Sequence, residues 1–148
     1  MTAAVQATDA DVILFCDADI SGLAHHTIDE LLKSVLAGDK DMSIAQRTNP
    51  LYAIPFVLAF TPKLGGVRAV ARELWDTVPS KFKRRFMIEA ALNHVAQRYG
   101  RGFEYQLAEG LSQTTKEIKY GWRKGFSARI KMIGDVAAAY MQLHLAEG

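Results

Sequence analysis

Two aspartates, Asp17 and Asp19, close an apolar run that reads Asp11-Val-Ile-Leu-Phe-Cys-Asp-Ala-Asp-Ile20. Side chains alternate along an extended chain, so residues two apart face the same way. Two like-facing carboxylates at a strand end suit a hard divalent cation, which takes oxygen ligands and can bridge to substrate phosphates. Aspartate also favours turns and helix caps, and Asp-x-Asp after a strand fits an aspartyl-nucleophile phosphatase as well. That chemistry needs a later lysine and an acidic metal pair, and no convincing acidic pair follows.

Other residues with chemical potential lie further along. His25 and His26 stand near the acidic pair as candidate ligands, although adjacent histidines at the start of a helix are commonly solvated. Gly65-Gly66 precedes a patterned segment and offers backbone N–H groups to an anion, where a plain flexible turn is the alternative. Arg68 and Arg72 lie four residues apart. Glu89, Asn93 and Gln97 recur at four-residue spacing as a polar stripe. Lys116, Lys119, Arg123, Lys124, Arg129 and Lys131 put six positive charges within sixteen residues, either a solvated face or a clamp for phosphate oxygens or anionic headgroups.

The elements that must carry these groups follow from pattern and composition. The chain has 148 residues, 49% hydrophobic and 23% charged, which is the balance of a single globular domain with a real core. A net charge of +2 gives no bulk electrostatic case for nucleic acid. One cysteine, Cys16, excludes a disulfide framework and a thiolate metal site. Apolar runs stay short of the ~20 residues of a membrane span, and residues 1–10 lack the pattern of a secretion signal. The expected location is cytoplasmic.

Val12 to Phe15 are β-favouring and read as a central strand buried on both faces. Thr27-Ile-Asp-Glu30 has the form of a capping box; Ile28, Leu31, Leu32, Val35 and Leu36 then keep helical rhythm up to a glycine cap at Gly38. Met42 to Arg47 is the next expected strand, so strand, helix and strand suggest a right-handed crossover in a parallel sheet. Residues 49–62 are apolar and broken by Pro50, Pro55 and Pro62, as core or as a patch for an apolar partner. A helix is expected from Gly65-Gly66 onward with Val67, Val70, Ala71, Leu74 and Trp75 buried, another over Lys83 to Tyr99 with Ile88, Leu92, Val95 and Tyr99 buried. Phe103 to Leu107 alternates as a strand, and a last helix spans about 127–145.

Taken in order, Val-Ile-Leu-Phe-Cys-Asp17-Ala-Asp19, Gly65-Gly-Val-Arg68, Phe86-Met-Ile-Glu89-Ala-Ala-Leu-Asn93 and Gly110-Leu-Ser-Gln113-x-x-Lys116-x-x-Lys119-Tyr-Gly121 resemble glycosyltransferase family 2, chiefly its polyprenyl-phosphate sugar synthases and glucosyl-phosphoglycerate synthases. The resemblance implies an α/β fold, a partial GT-A domain with a mixed sheet flanked by helices. It implies metal-dependent transfer of a sugar from a nucleotide-diphosphate sugar to a phosphate-bearing or hydroxyl acceptor, with Mg2+ or Mn2+ as cofactor. Asp19 would ligate the cation, with Asp17 beside it toward the ribose or a bound water. Gly65, Gly66 and Arg68 would line the sugar and acceptor, Lys116 and Lys119 would supply positive charge, and Glu89 would serve as base or, with an ionised acceptor, orient the sugar. Gln113 stands where many relatives carry a histidine ligand, and a neutral amide oxygen binds a cation more weakly.

Such relatives begin with a strand-helix-strand segment that builds the base pocket, and none precedes Ala10. The resemblance therefore covers the metal and acceptor side of a GT-A domain. The rival readings are a non-catalytic binding or assembly module of the same fold, a sheet edge paired with another copy as a homo-oligomer, and peripheral membrane contact through the basic C-terminal region.

Overall fold

The computed structural model describes residues 2–47, 66–84, 87–113, 134 and 141. In chain order the elements are α1 (Thr2–Gln6), β1 (Val12–Cys16), β2 (Ile20–Ser21), α2 (His25–Leu36), β3 (Met42–Arg47), β4 (Val67–Ala71), α3 (Arg72–Thr77), a 3-10 turn (Ser80–Phe82), α4 (Met87–Tyr99), β5 (Phe103–Ala108) and β6 (Ser112–Gln113). Four strands make one sheet in the order β1-β4-β3-β5. β4 is antiparallel to both β1 and β3, whereas β3 and β5 are parallel. Strands β1, β3 and β5 therefore all run one way, and β4 alone runs against them.

That order corrects two expectations. β1 is not a central strand: it lies at an edge of the described sheet, and Val12 to Phe15 are half-buried rather than enclosed. β1 and β3 do run parallel with α2 between them in the chain, but β4 is inserted between them and runs against both, so the sheet is mixed rather than parallel. The two inner positions belong to β4 and β3, and all five residues of β4 are buried. The helix expected from Gly65-Gly66 is strand first and helix only from Arg72. Val67, Val70, Ala71, Leu74 and Trp75 fit a helical stripe, but a strand buried on both faces has no polar alternation to betray it.

Register divides the side chains between two faces. Phe15 pairs with Arg68, Arg68 with Ile44, and Ile44 with Tyr105, so these four form one row across the sheet. On this face Trp75 of α3 meets Phe15 with ring centroids 5.1 Å apart, and α4 reaches Arg68 through Glu89. The other face carries Ser43 and Glu104, and there the Ser34 hydroxyl of α2 donates to Glu104. The sheet is thus held between α2 on one side and α3 with α4 on the other. The core includes Leu31, Met42, Ile44, Val70, Trp75, Phe82 and Leu92, each almost fully enclosed; truncating one such side chain to alanine costs about 2–5 kcal/mol.

α2 ends as expected, with Gly38 at φ 78° and its N–H donating to the Val35 carbonyl at 3.1 Å. Its start differs. The helix begins at His25 behind Ala24, without a side-chain cap, and Thr27 is buried inside it on the side of Leu31 and Val35. Hydrophobic burial of the threonine face outweighs the local capping pattern. In α4, Ile88, Leu92 and Val95 are buried as expected, but Tyr99 is 64% exposed and Asn93 is buried.

Arg72 ties down the segment from Val5 to Asp11. Its guanidinium donates to the carbonyls of Thr8 (2.6 Å), Ala10 (2.7 Å) and Val5 (3.2 Å), and its backbone N–H to that of Asp11 (2.8 Å). The Val5 carbonyl belongs to the last turn of α1, where helical partners run out; those of Thr8, Ala10 and Asp11 lie in the segment that leads into β1. Residues 49–62 and most of 127–145 lie outside the described residues; Gly134 and Met141 are helical. Among the described residues no helix is long and apolar enough to cross a membrane.

Candidate active site

Because β1, β3 and β5 are parallel, their C-terminal ends share one rim of the sheet, the rim where ligands of open α/β sheets bind. Asp17 and Asp19 follow β1 at that rim, and both are exposed; Ala18 and Asp19 form a turn in which the Ile20 N–H donates to the Asp17 carbonyl at 3.4 Å, so the alternation expected of an extended chain ends at Asp17. β4 enters from the same rim at Gly66. The Asp17 N–H donates to the Gly66 carbonyl at 2.9 Å. A side chain at position 66 would overlap the Asp17 carboxylate, with its Cβ 2.7 Å from Asp17 Cγ.

Two residues into β4 stands Arg68, the one charged side chain in that strand. It is 3% exposed. Its Nη2 lies 3.0 Å from Glu89 Oε2 on α4, and its Nη1 reaches Met42 Sδ at 3.9 Å. Burial pulls the guanidinium below the usual arginine range, while the negative charge of Glu89, then the Tyr105 phenol and Asp17, pull it back up. Burial likewise lifts the Glu89 carboxyl above the ordinary glutamate range; Arg68 opposes that rise and Asp17 adds to it. Asp17, Arg68, Glu89 and Tyr105 thus share one electrostatic neighbourhood on one face of the sheet. Arg68 remains cationic, since guanidinium does not lose its proton in proteins.

The rim has a second layer. β2, directly after Asp19, pairs with β6, so that Ile20 lies opposite Gln113 and Ser21 opposite Ser112. Gly22 has φ 78°, and a Cβ there would overlap the Gly110 carbonyl, so two glycines let these loops close on each other. The backbone of Gln113 is thereby held one residue from Asp19.

The sequence-derived candidates divide accordingly. Asp17, Gly66, Arg68 and Glu89 come together, with the Gln113 backbone beside Asp19. Gly65, Lys116, Lys119 and the Gln113 side chain lie outside the described residues. His25 and His26 are exposed in the first turn of α2. Tyr105 was not a candidate: its alternation with Phe103 and Leu107 marks it only as a strand residue, and nothing local signals that its row continues through Ile44 to Arg68.

A cation fits this arrangement in a particular way. Among the described residues no group of three or more His, Cys, Asp and Glu gathers to cage a metal. Two exposed carboxylates at a rim suit instead an ion of the Mg2+ or Mn2+ kind, which commonly binds one or two carboxylates and takes its other ligands from phosphates and water.

No family model and no curated protein matches the chain. Among solved structures it is similar to glucosyl-3-phosphoglycerate synthase from Mycobacterium tuberculosis. Against that enzyme in complex with phosphoglyceric acid, identity is 19%, 94% of this chain and 51% of that chain are covered, and the TM-score is 0.68. Against its complex with Mn2+, uridine diphosphate and glucosyl-3-phosphoglycerate the TM-score is 0.69 at the same identity and coverage. Its complex with Mn2+, uridine-diphosphate-glucose and phosphoglyceric acid gives 0.60, covering 88% of this chain and 52% of that one. The chain therefore has the α/β fold of these structures, with the mixed sheet and flanking helices expected from its sequence, and it spans about half their length.

Proposed function

We propose that this chain forms the cation-binding and acceptor-side part of a GT-A glycosyltransferase, which passes a sugar from a nucleotide-diphosphate donor to a phosphate-bearing or hydroxyl acceptor. The observation that carries the reading is the meeting of Asp17, Gly66, Arg68 and Glu89 at the C-terminal rim of the parallel strands. It is supported by the shared fold with an enzyme whose solved complexes contain Mn2+, uridine-diphosphate-glucose and phosphoglyceric acid. Phosphoglycerate is the acceptor to try first, and a polyprenyl phosphate the second.

Asp19 and Asp17 would hold Mg2+ or Mn2+, with Gln113 next to them. The bound cation supplies Lewis-acid stabilisation of the negative charge on a departing diphosphate. Glu89 is a half-buried carboxylate fixed by Arg68, and its raised proton affinity moves it toward the range useful for taking a proton from an acceptor hydroxyl. With an acceptor that is already ionised, the same carboxylate orients the sugar by accepting its hydroxyl hydrogen bonds. Arg68 keeps the Glu89 carboxylate in one orientation, while Lys116 and Lys119 are the further cations proposed for the acceptor phosphate.

The test is to incubate the chain with Mn2+, uridine-diphosphate-glucose and 3-phosphoglycerate and to analyse products by mass spectrometry. A glucosylated acceptor, lost on chelation, supports the reading. Donor binding without any product, across both acceptor classes, supports instead a non-catalytic module of the same fold.

A further inference from the structure

We propose that Gly66 is a positioning residue for the Asp17 carboxylate: the bare backbone at the start of β4 forms the seat that aims this carboxylate at the cation. The inference rests on the reading of Asp17 and Asp19 as cation ligands, and assigns to Gly66 a role in the geometry of that site rather than in contact with the sugar.

Two contacts join the residues from different directions. The Asp17 N–H donates to the Gly66 carbonyl at 2.9 Å, which fixes the backbone of the loop leaving β1. The carboxylate then folds back over Gly66: a Cβ there would overlap Asp17 Oδ2 and come within 2.7 Å of Cγ and 3.2 Å of Cβ. All three crowded atoms belong to one side chain.

The atoms that crowd the missing methyl belong to a side chain, not to backbone. What alanine cannot do is leave the Asp17 carboxylate where it is. Its oxygens must swing away from Gly66, toward the open rim, and the direction they present to a cation changes. Residues that orient a metal ligand typically account for about 10–100-fold in affinity when altered.

The experiment is Mn2+ binding to the 148-residue chain, followed by electron paramagnetic resonance of free manganese, for the unaltered protein and for Gly66→Ala, with thermal unfolding of both. The expected result is manganese affinity lower by about tenfold or more in Gly66→Ala, with the folded state retained. Equal affinity in the two proteins overturns the role of Gly66 while leaving the cation site standing. If the unaltered chain binds no manganese, the cation reading falls and takes this proposal with it. Should Gly66→Ala fail to fold, adding Asp17→Ala removes the crowded carboxylate and restores folding; a double variant that stays unfolded overturns the proposal equally.

Discussion

Arg68 and Glu89 form an ion pair across 3.0 Å between β4 and α4, with the arginine side chain 4% exposed and the glutamate side chain 21% exposed. A guanidinium in the middle of a sheet core is costly unless paired, and removing one partner of such a pair leaves a buried charge without its counter-ion. The pair therefore ties the packing of α4 to the buried face of β4. The positive charge of Arg68 opposes the rise that burial gives the Glu89 carboxyl.

Arg68→Met is predicted to destabilise the fold by about 3 kcal/mol near neutral pH, and the deficit should depend on pH in a definite direction. Burial already holds the Glu89 carboxyl above its ordinary range, and Arg68 opposes the rise, so the substitution raises it further. A carboxyl whose folded pKa exceeds its unfolded value, about 4.3, contributes stability below that unfolded value and loses it as pH rises through the folded one. The deficit of Arg68→Met should accordingly be smallest near pH 4 and grow toward pH 8. Thermal unfolding at the two pH values checks this; a deficit independent of pH would mean that Glu89 does not feel Arg68.

Arg101→Ala is predicted to weaken the fold without touching the rim. Asp41, which precedes β3 at the opposite end of the sheet, is 6% exposed. It accepts from Arg101 Nε at 2.7 Å and from the Arg101 backbone N–H, while Arg101 Nη1 donates to the Gly38 carbonyl at 2.7 Å. The cluster joins the end of α2, the start of β3 and the turn after α4. Hydrogen bonds to a charged group contribute about 1.5–3 kcal/mol, discounted here because the Arg101 side chain is 46% exposed, so a loss of about 1–2 kcal/mol is expected, with manganese affinity unchanged. Denaturant unfolding and manganese titration of the same variant separate the two effects.

Part of the candidate site was legible in the sequence because the patterns that mark it are local. The apolar run into Asp17-Ala-Asp19 marks a strand with two carboxylates at its end, and the alternation of Phe103 to Leu107 marks β5. What the sequence hid was mostly long-range. The buried stripe from Val67 to Trp75 fits a helix as well as it fits β4 followed by α3, and only pairing with β1 and β3 decides between them. Glu89 lies on a polar stripe in the sequence, and only the packing of α4 brings it onto Arg68; Arg68 and Arg72, which share a spacing, serve unrelated ends: one pairs with Glu89, the other secures carbonyls from Val5 to Asp11. Tyr105 was missed for the same reason, since its place beside Arg68 depends on the register of three strands.

The central claim is that Asp17 and Asp19 hold a divalent cation which in turn engages a nucleotide diphosphate. Its most direct test is calorimetric titration of uridine diphosphate into the chain with Mn2+, with Mg2+ and with neither, repeated on Asp19→Ala. The expected result is saturable binding of uridine diphosphate that requires the cation and falls by about tenfold or more in Asp19→Ala, the loss typical of an altered metal site. Binding that proceeds equally without the cation, or equally well in Asp19→Ala, would contradict it.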